Sequence, residues 1–366
     1  MPERSETEDR IAQLRLIRSD NIGPVTYFQL LARFGAAAAA LDAIPQLAAR
    51  GGGRAPRLAA RAIVEREMGE VEKLGARYLF LGQGLYPPLL AELESAPPAL
   101  IVKGHASLLE KPAIAMVGAR NASAAACRYA RMLAQNLGAA GAVVVSGLAR
   151  GIDTAAHDGA MESGTIAVIA GGIDIVYPPE NADRQQAIAE QGLLIAEQPP
   201  GVEPRARHFP YRNRIIAGLA QGTVVVEAAP KSGSLITARN AAEYGRDVMA
   251  VPGSPLDPRA QGCNQLIRDG ATLVQNADDV LEAIGPFGMR PVAQRGLDYS
   301  GPSISPDADA RERQSVTDLL SPTAVAVDEV IRQSGLVPAV VQTILLELEL
   351  GGRLERHAGG RVSLIN

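Results

Sequence analysis

The middle of the chain alternates short apolar runs with longer amphipathic stretches. Six runs are nearly continuous in apolar residues and have the length of strands: residues 113–117, 142–145, 165–169, 193–195, 223–226 and 247–251. Strands that are buried on both faces have this composition, and intervening helices connect parallel neighbours. We therefore predict an α/β fold for residues 76–285, an extended Rossmann-like, doubly wound and mostly parallel sheet.

The first 75 residues follow a helical period instead. Ile11, Leu14 and Ile17 recur at helical spacing, Asn21-Ile-Gly-Pro24 interrupts the pattern, and residues 27–31 resume it. We predict a helical N-terminal domain over residues 1–75. Two helices joined by a Gly-Pro turn are typical of a helix-hairpin-helix module, whose turn amides approach a nucleic-acid backbone, and equally of a plain helical bundle.

The end of the chain has a third pattern. Gly, Pro and Ser residues after Gly285 predict a linker over residues 286–312. Residues 313–366 then give helix, turn, helix and two short runs around Gly359-Gly360, which is the pattern of a winged helix. The second helix carries Glu347 and Glu349 where a duplex-binding helix presents cations, so a structural or protein-contact role is favoured over duplex binding.

Charge changes this picture locally. The chain of 366 residues has a net charge of −4, which argues against a nonspecific nucleic-acid coat. Between Glu203 and Arg246, however, seven Arg or Lys residues face three Glu residues, a local balance of +4. One basic segment in an acidic protein indicates an anion site, although charge runs are also common on solvated surfaces.

The cysteines and the apolar segments indicate the cellular location of the protein. Cys127 and Cys263 are far apart and fit neither a disulfide framework nor a metal-ligand spacing. The N-terminus has no apolar signal core, and no run of apolar residues is long enough to span a membrane. We expect a cytoplasmic location, no membrane association, no metal and no cofactor.

Candidate chemistry lies in the loops that follow the predicted strands, because ligands of doubly wound sheets bind outside the carboxyl ends of strands. Gly118-Ala-Arg120 with Ser123, and Ser146-Gly147 with Arg150-Gly151, each come before a predicted helix. Their amides and the helix dipole favour an anion. Asp153 and Asp174 follow glycine-containing loops, where they are expected to cap helices rather than bind a sugar.

A third loop and several aromatic rings point to the same edge. Lys231, Ser232, Gly233 and Ser234 form another helix start. Tyr177, Phe209 and Tyr211 lie in or beside these loops, next to Arg212, Asn213 and Arg214. A flat ring beside a cation is typical of a site that stacks bases and binds phosphates, each stacked base contributing about 1 to 3 kcal/mol, although each ring alone is more often a packing contact.

Several enzyme classes lose support. The chain has no Gly-Lys dipeptide and hence no P-loop, no Gly-x-Gly-x-x-Gly after a strand, and no Gly-x-Ser-x-Gly elbow. His157 is expected to be a packing residue. We therefore predict a binding protein without a catalytic residue.

These motifs together resemble the DNA-processing protein A (DprA, also called Smf) family of bacteria. The resemblance covers the central domain and is carried by Gly118-Ala-Arg120 with Ser123, Ser146-Gly-Leu-Ala-Arg-Gly-Ile-Asp153, Tyr177-Pro178 with Asn181, Phe209-Pro-Tyr-Arg-Asn-Arg-Ile-Ile-Ala-Gly-Leu219, Lys231-Ser-Gly-Ser-Leu-Ile-Thr-Ala238, Val251-Pro-Gly253 and Gly262-Cys-Asn-Gln-Leu-Ile267 with Gly270-Ala271. Members also carry a helical N-terminal domain of the SAM-like kind and a C-terminal winged helix.

The resemblance implies a non-catalytic, homodimeric protein that binds single-stranded DNA, protects it from nucleases and loads RecA recombinase during natural transformation. The nucleic-acid contacts that we expect are Gly118, Arg120, Ser123, Ser146, Gly147, Arg150, Gly172, Tyr177, Phe209, Arg212, Asn213, Arg214, Lys231, Ser232, Gly233 and Ser234. A dimer contact through the central domain is expected at Asn264, Leu266, Ile267 and Leu273.

Two positions depart from the family pattern, and two other functions stay open. Ala119 stands where many members have serine, and Pro179 where a basic residue can occur, which puts the DNA contacts there in doubt. The first alternative is a nucleotide-processing enzyme similar to the lysine-decarboxylase-like phosphoribohydrolases, with Glu227 as the only candidate carboxylate. The second is an adaptor that acts through the acidic winged helix alone.

Overall fold

A computed structural model describes residues 2–285, 307–357 and 359–365. The chain forms two compact units: a central unit, Glu67–Gly296, and a terminal unit built from both chain ends, Met1–Arg66 with Leu297–Asn366. Most of the predicted linker, residues 286–306, lies outside the described residues. The domain limits drawn from the sequence therefore stay predictions.

Helices and strands alternate through the central unit, and the terminal unit is mostly helical. The helices are α1 (Pro2–Ile17), α2 (Pro24–Phe34), α3 (Ala37–Arg50), α4 (Arg61–Lys73), α5 (Pro88–Ala91), α6 (Ala124–Ala139), α7 (Ile152–Ala160), α8 (Ala182–Gln191), α9 (His208–Leu219), α10 (Ser234–Glu243), α11 (Gln261–Arg268), α12 (Ala277–Ile284), α13 (Ala310–Asp318), α14 (Val327–Ser334) and α15 (Pro338–Leu350). The strands are β1 (Arg77–Phe80), β2 (Ala99–Gly104), β3 (Ala113–Val117), β4 (Val143–Ser146), β5 (Thr165–Ile169), β6 (Leu193–Ala196), β7 (Gly222–Val225), β8 (Asp247–Ala250), β9 (Thr272–Leu273), β10 (Val325–Ala326), β11 (Leu354–His357) and β12 (Arg361–Leu364).

The central unit contains one sheet of nine strands in the order β1-β2-β6-β5-β4-β3-β7-β8-β9. Along this order, the seven strands that begin with β6 and end with β9 all pair in parallel. The pairs β1 with β2 and β2 with β6 are antiparallel. All residues of β3, β4, β5, β6 and β7 are buried. Apolar residues of the sheet pack against α6, α7 and α12 on one side, while α9 and α10 pack together and against neighbouring strands.

The six strands predicted from apolar runs are all present, each within one residue of its predicted bounds. The prediction of a mostly parallel, doubly wound sheet is thus confirmed. The antiparallel strands β1 and β2 and the two-residue edge strand β9 had not been predicted. Their runs are short or border loops, so alternation with helices does not reveal them.

The terminal unit joins an N-terminal helical domain to a winged helix. Helices α1, α2 and α3 share an apolar core with Leu346 and Leu350 of α15. The opposite side of α15, including Ile344 and Leu345, packs in the core of the winged helix with α13 and α14. Strands β10, β12 and β11 form the wing sheet. The predicted helical domain and winged helix are therefore confirmed, and α15 contributes to both cores.

The acidic side chains of α15 are paired within the terminal unit. Glu347 is fully buried and accepts hydrogen bonds from Arg313 at 2.7 and 3.1 Å, with Arg50 of α3 at 3.9 Å. Glu349 pairs with Arg356 at 2.8 Å. In winged helices that bind a duplex, the helix at this position carries cations. In this chain the acidic residues of α15 instead form ion pairs within the terminal unit.

We also compared the helices with the length and apolarity that a membrane span requires. Among the described residues no single helix meets both requirements. Only α2 and α3 taken together pass, and the two are bent by 104° relative to each other.

Candidate nucleic-acid interface

The chain reverses its direction of travel across the sheet at β3. From β3 it adds β4, β5 and β6 on one side and then returns to place β7 on the other. Crevices at such a point, outside the carboxyl ends of parallel strands, are the usual ligand sites of doubly wound sheets. The loops after β3, β4, β5 and β7 share this edge, and they include most of the predicted DNA contacts.

A cavity of about 230 Å³ opens between three of these loops and α9. Arg120 from the loop after β3, residues 147–150 after β4, residues 169–171 and Tyr177 after β5, and two residues of α9 line it. The α9 residues are Phe209 and Arg212. Six predicted contacts from distant parts of the sequence thus line one cavity: Arg120, Gly147, Arg150, Tyr177, Phe209 and Arg212.

Two aromatic rings and a guanidinium form a cluster at this cavity. The Arg120 guanidinium lies 5.1 Å from the centroid of the Phe209 ring, within the range of a cation–π contact. The Phe209 and Tyr177 ring centroids are 5.7 Å apart with planes tilted by 55°. Tyr177 is 45% exposed and Arg120 is exposed. A cation and an accessible ring therefore face solvent side by side.

Arg212 brings a buried cation to the same cavity. The side chain is 6% exposed, and its Nη1 donates to the Val168 carbonyl at 3.2 Å. Its Nε has no hydrogen-bond partner among the residues that the structure describes. Burial lowers the pKa of Arg212 to about 10, so the guanidinium stays charged at neutral pH. A Cβ at Gly147 would overlap Arg212 Nη1, which explains the glycine.

The loop after β4 is held by polar groups of the chain itself. The Asp153 carboxylate accepts from the amides of Gly147 at 3.1 Å and Ala149 at 3.3 Å. The Ser146 hydroxyl is buried and donates to the Met116 carbonyl at 2.6 Å. Burial raises the pKa of Asp153, while Arg212 and these amides act in the opposite direction. Asp153 therefore fastens this loop and does not cap α7 as we expected, since the N-cap position is Gly151 and has no side-chain cap.

His157 completes the support of this loop. Its Nε2 accepts from the Leu148 amide at 3.3 Å, so the proton lies on Nδ1, which contacts the Thr165 hydroxyl at 2.7 Å. Thr165 in turn donates to the Val144 carbonyl at 2.9 Å. Burial lowers the pKa of His157 to about 3. His157 is thus a neutral, hydrogen-bonded packing residue, as the sequence led us to expect.

A second carboxylate occupies the start of α6. The Glu227 carboxylate accepts from the Ser123 amide at 3.0 Å and from the Ser123 hydroxyl at 2.8 Å. The Glu227 carbonyl accepts from the Ala119 amide at 2.6 Å. At Gly118 a Cβ would lie 2.5 Å from Ile152 Cγ1, so no larger residue fits. Several amides at which we expected a phosphate, those of Ser123, Gly147 and Ala149, thus donate to acceptors of the chain.

The remaining residues of the cavity loops have identifiable partners. Arg150 is exposed and pairs with Glu180 at 2.6 Å. The Gly172 amide donates to the Val202 carbonyl at 2.9 Å. The Asp174 carboxylate, expected to cap a helix, accepts from the Gly201 amide at 2.9 Å and so fastens a loop instead.

Arg212 and Arg214 both belong to α9 but lie on different faces of the helix. Arg214 is 8% exposed and donates to the Ser95 carbonyl at 2.6 Å and to Glu197 at 2.5 Å. It does not line the cavity. Residues two apart on a helix do not share a face, and this spacing was a signal in the sequence that separates the two arginines. Arg214 as a DNA contact stays an untested prediction that this ion pair does not favour.

The loop after β7 presents a separate cation. Lys231 is exposed and adopts a positive φ of 69°. Asn213 donates to the Gly233 carbonyl at 3.3 Å, and the Ser232 and Ser234 hydroxyls are 2.8 Å apart. None of the residues 231–234 lines the cavity. This loop is therefore a second patch, which Asn213 ties to α9.

The predicted dimer segment lies at the β9 edge of the sheet. Asn264 accepts from the Gly253 amide at 3.1 Å and donates to the Gly253 carbonyl at 2.9 Å, so its amide group is used within the chain. Leu266 and Ile267 are partly exposed on α11, and Leu273 in β9 is 43% exposed. Leu256, which the sequence reasoning missed, is 92% exposed.

No group of three or more His, Cys, Asp or Glu residues in the described part of the chain has the geometry of a metal site. Sequence reasoning also missed Ile175 and Pro204 in the cavity wall. Neither residue belongs to a polar motif, so nothing in the sequence distinguished them.

The central unit is thus a doubly wound α/β domain with a cavity lined by arginine and aromatic side chains at its reversal point. The family model of DNA recombination-mediator protein A matches residues 77–285. A DprA-like N-terminal HHH domain matches residues 7–69, and a DprA winged helix domain matches residues 301–360. The chain belongs to the DNA recombination-mediator protein A (DprA/Smf) family.

Relatives from other bacteria agree with this assignment. The chain is 48% identical over 198 residues to DNA processing protein DprA of Streptococcus pneumoniae (54% of this chain, 70% of that protein). It is 39% identical over 285 residues to Protein Smf of Escherichia coli (76% and 75%). The solved structure of DNA processing protein A from Helicobacter pylori, described for its single-stranded DNA binding mode, matches with a TM-score of 0.52 and 29% identity, covering 56% of this chain and 94% of that one.

Proposed function

We propose that this protein binds single-stranded DNA and mediates recombination without catalysing a reaction. The observation that carries the proposal is the cluster of Arg120, Phe209 and Tyr177 at a cavity that also holds the buried Arg212 cation. An exposed ring accepts the face of a base, and adjacent guanidinium groups attract phosphates. The single-stranded DNA binding described for the Helicobacter pylori relative supports the same conclusion.

Preference for single strands follows from ring accessibility. Bases in a duplex are stacked on one another and present only their edges in the grooves. A single strand exposes its bases, which stack on aromatic side chains with little dependence on sequence. Arg120, Arg150 and Lys231 are exposed and supply the phosphate contacts in this proposal.

The finer role extends from strand binding. We propose that the bound strand is shielded from nucleases and handed to RecA recombinase, in natural transformation and recombination. A homodimer through the central unit places two such clefts in one particle. The exposed Leu256 and Leu273 near the β9 edge support that interface, because a dimer would cover their apolar surface. Two free cysteines suit a cytoplasmic protein.

The phosphoribohydrolase alternative has less support. It needs a free carboxylate beside the bound nucleotide, and Glu227 was the candidate. Both Glu227 oxygens accept from Ser123, and the side chain is 8% exposed. Asp153 is likewise engaged by two amides. We therefore propose binding, with neither carboxylate acting as a general base.

The proposal is tested by titrating labelled single-stranded and duplex oligonucleotides at low and moderate salt. Arg120→Ala with Lys231→Ala removes two proposed phosphate contacts and is expected to weaken single-strand binding at least about tenfold at low salt. It should also reduce the dependence of affinity on salt, since fewer counterions are released.

A matched double variant controls for loss of charge. Arg77→Ala with Lys73→Ala removes two exposed cations of the same unit, at β1 and the end of α4, and is expected to retain wild-type affinity. Equal single-strand affinity of both double variants would refute the assigned site. Release of base from nucleoside monophosphates by the wild-type protein would favour the enzyme.

A further inference from the structure

Two anion-binding positions at the candidate interface already hold carboxylates of the chain. One lies at the start of α6, where Glu227 sits, and the other in the loop after β4, where Asp153 sits. In nucleotide-binding sheets of this topology, the phosphate occupies the turn between a strand and the following helix. The two positions belong to neighbouring strands, β3 and β4, at the reversal point of the sheet.

Glu227 reproduces the contacts that a bound phosphate makes. Its two oxygens accept from the Ser123 amide and hydroxyl at 3.0 and 2.8 Å. Ser123 also caps α6, since its hydroxyl accepts from the Ala126 amide at 3.1 Å. The helix is 16 residues long, so its dipole favours a negative charge at this end. The carboxylate comes from the loop after another strand, β7, and is therefore not a local consequence of the helix sequence.

Asp153 does the same one strand further along. Its carboxylate accepts from the Gly147 and Ala149 amides at 3.1 and 3.3 Å, while His157 accepts from the Leu148 amide between them. All three successive amides of this turn are thus used. An incoming phosphate would have to displace a buried acceptor from each pair of donors.

The cavity nevertheless retains hydrogen-bond donors for a ligand. Arg212 is 6% exposed and lines the cavity, and its Nε has no partner in the described part of the chain. Arg120 lines the cavity as well and is exposed. The two guanidinium groups are therefore side-chain donors that face the cavity and can reach an external anion.

We propose that Glu227 and Asp153 are specificity-determining residues that occupy the amide-lined phosphate positions and exclude free phosphomonoesters, including mononucleotides, from this cleft. A DNA strand is then held through side-chain contacts to several nucleotides, and a single nucleotide gains too little to remain bound. This inference rests on the proposed single-strand binding, which it extends to a preference for strands over nucleotides.

Anion rescue of a truncated side chain tests the idea. Glu227→Ala vacates the position and leaves the Ser123 amide and hydroxyl without their acceptor. Inorganic phosphate should fill the vacancy and stabilise the folded state by mass action. We expect the midpoint of thermal unfolding to rise at least about 3 °C more in phosphate than in sodium chloride of equal ionic strength. Adenosine monophosphate should act in the same direction.

Glu227→Gln is the matched control, because it removes the charge and keeps the volume. Neither this variant nor the wild-type protein should gain more from phosphate than from chloride. If Glu227→Ala is recovered unfolded, its refolded fraction in phosphate and in chloride, measured by circular dichroism, replaces the thermal midpoint. A phosphate-specific increase in that fraction supports the inference in the same way.

Three outcomes would overturn the inference. They are no phosphate-specific gain by Glu227→Ala, an equal gain by all three proteins, or wild-type binding of adenosine monophosphate as tight as single-strand binding. The single-strand titration of the wild-type protein is read separately. Strand binding with no rescue contradicts only the role of the carboxylates, whereas absence of strand binding contradicts the proposed function.

Discussion

Arg212 and His157 both contact the loop after β4. The Arg212 guanidinium lies over Gly147, where a side chain would displace it. His157 holds the next amide, that of Leu148, through its unprotonated Nε2. Both residues contact one short loop, so the position of the cation in the cavity depends on a histidine that stays neutral.

This dependence predicts a loss of stability in acid. The pKa of His157 is about 3 in the folded protein, because of burial, against an ordinary value of 6.5. Between those values the unfolded chain binds more protons, so stability falls as the pH falls. We expect His157 to contribute a loss of about 2 kcal/mol between pH 7 and pH 5, measured by urea unfolding of wild type and His157→Gln.

The variant should lose that part of the pH dependence, whatever its stability at pH 7. Asp153, whose pKa burial raises, acts in the opposite direction, but it is present in both proteins, so the difference between them reports His157. His105→Gln, at an exposed histidine, should keep the wild-type dependence. The same loss between pH 7 and pH 5 in His157→Gln as in wild type would contradict the buried, neutral histidine.

At the scale of elements, α15 mainly packs in the cores of the terminal unit. Nine of its 13 residues are buried, and its two sides belong to the cores of the N-terminal helical domain and of the winged helix. The helix at this place in a duplex-binding helix-turn-helix enters the major groove. In this chain its surface is occupied by protein and carries no lysine or arginine.

A close approach of two backbones marks this packing. A Cβ at Gly53 would overlap the carbonyl oxygen of Gly351, which follows α15. Gly53→Ala should therefore destabilise the terminal unit by about 1 to 3 kcal/mol. Gly69→Ala is the control, because a Cβ there meets no atom within 4 Å and Ala favours the helix.

Chemical denaturation followed by hydrogen exchange, with residues 2–66 and 307–365 observed separately, measures the effect. Protection should fall in both segments for Gly53→Ala. A loss confined to one of them would contradict a shared core.

The sequence predicted elements better than it predicted orientations. Strands buried on both faces are apolar throughout, so six of the nine central strands could be located from composition alone. The convergence of Arg120, Tyr177 and Arg212 followed from the rule that strand ends share an edge. The occupation of the Ser123 amide by Glu227 could not be foreseen, because it depends on a contact between residues 104 positions apart.

At the scale of the whole molecule, the family assignment and the cleft lead to one central claim. We propose that the strand lies across the Arg120, Phe209 and Tyr177 cluster of the central unit and that the terminal unit is not its principal binding surface. Basic and aromatic residues at the reversal point of the sheet support this claim, as does the use of the acidic α15 side chains in ion pairs within the terminal unit.

Photo-crosslinking tests this claim most directly. A single-stranded oligonucleotide with 5-iododeoxyuridine is bound to the full chain and irradiated, so that C5 of the base loses iodine and bonds to a ring that it stacks on, with net loss of HI. Mass spectrometry of the peptides then locates the adduct. We predict adducts at Tyr177 or Phe209 that are lost when duplex DNA replaces the single strand. Adducts confined to residues 2–66 or 307–365 would contradict the account.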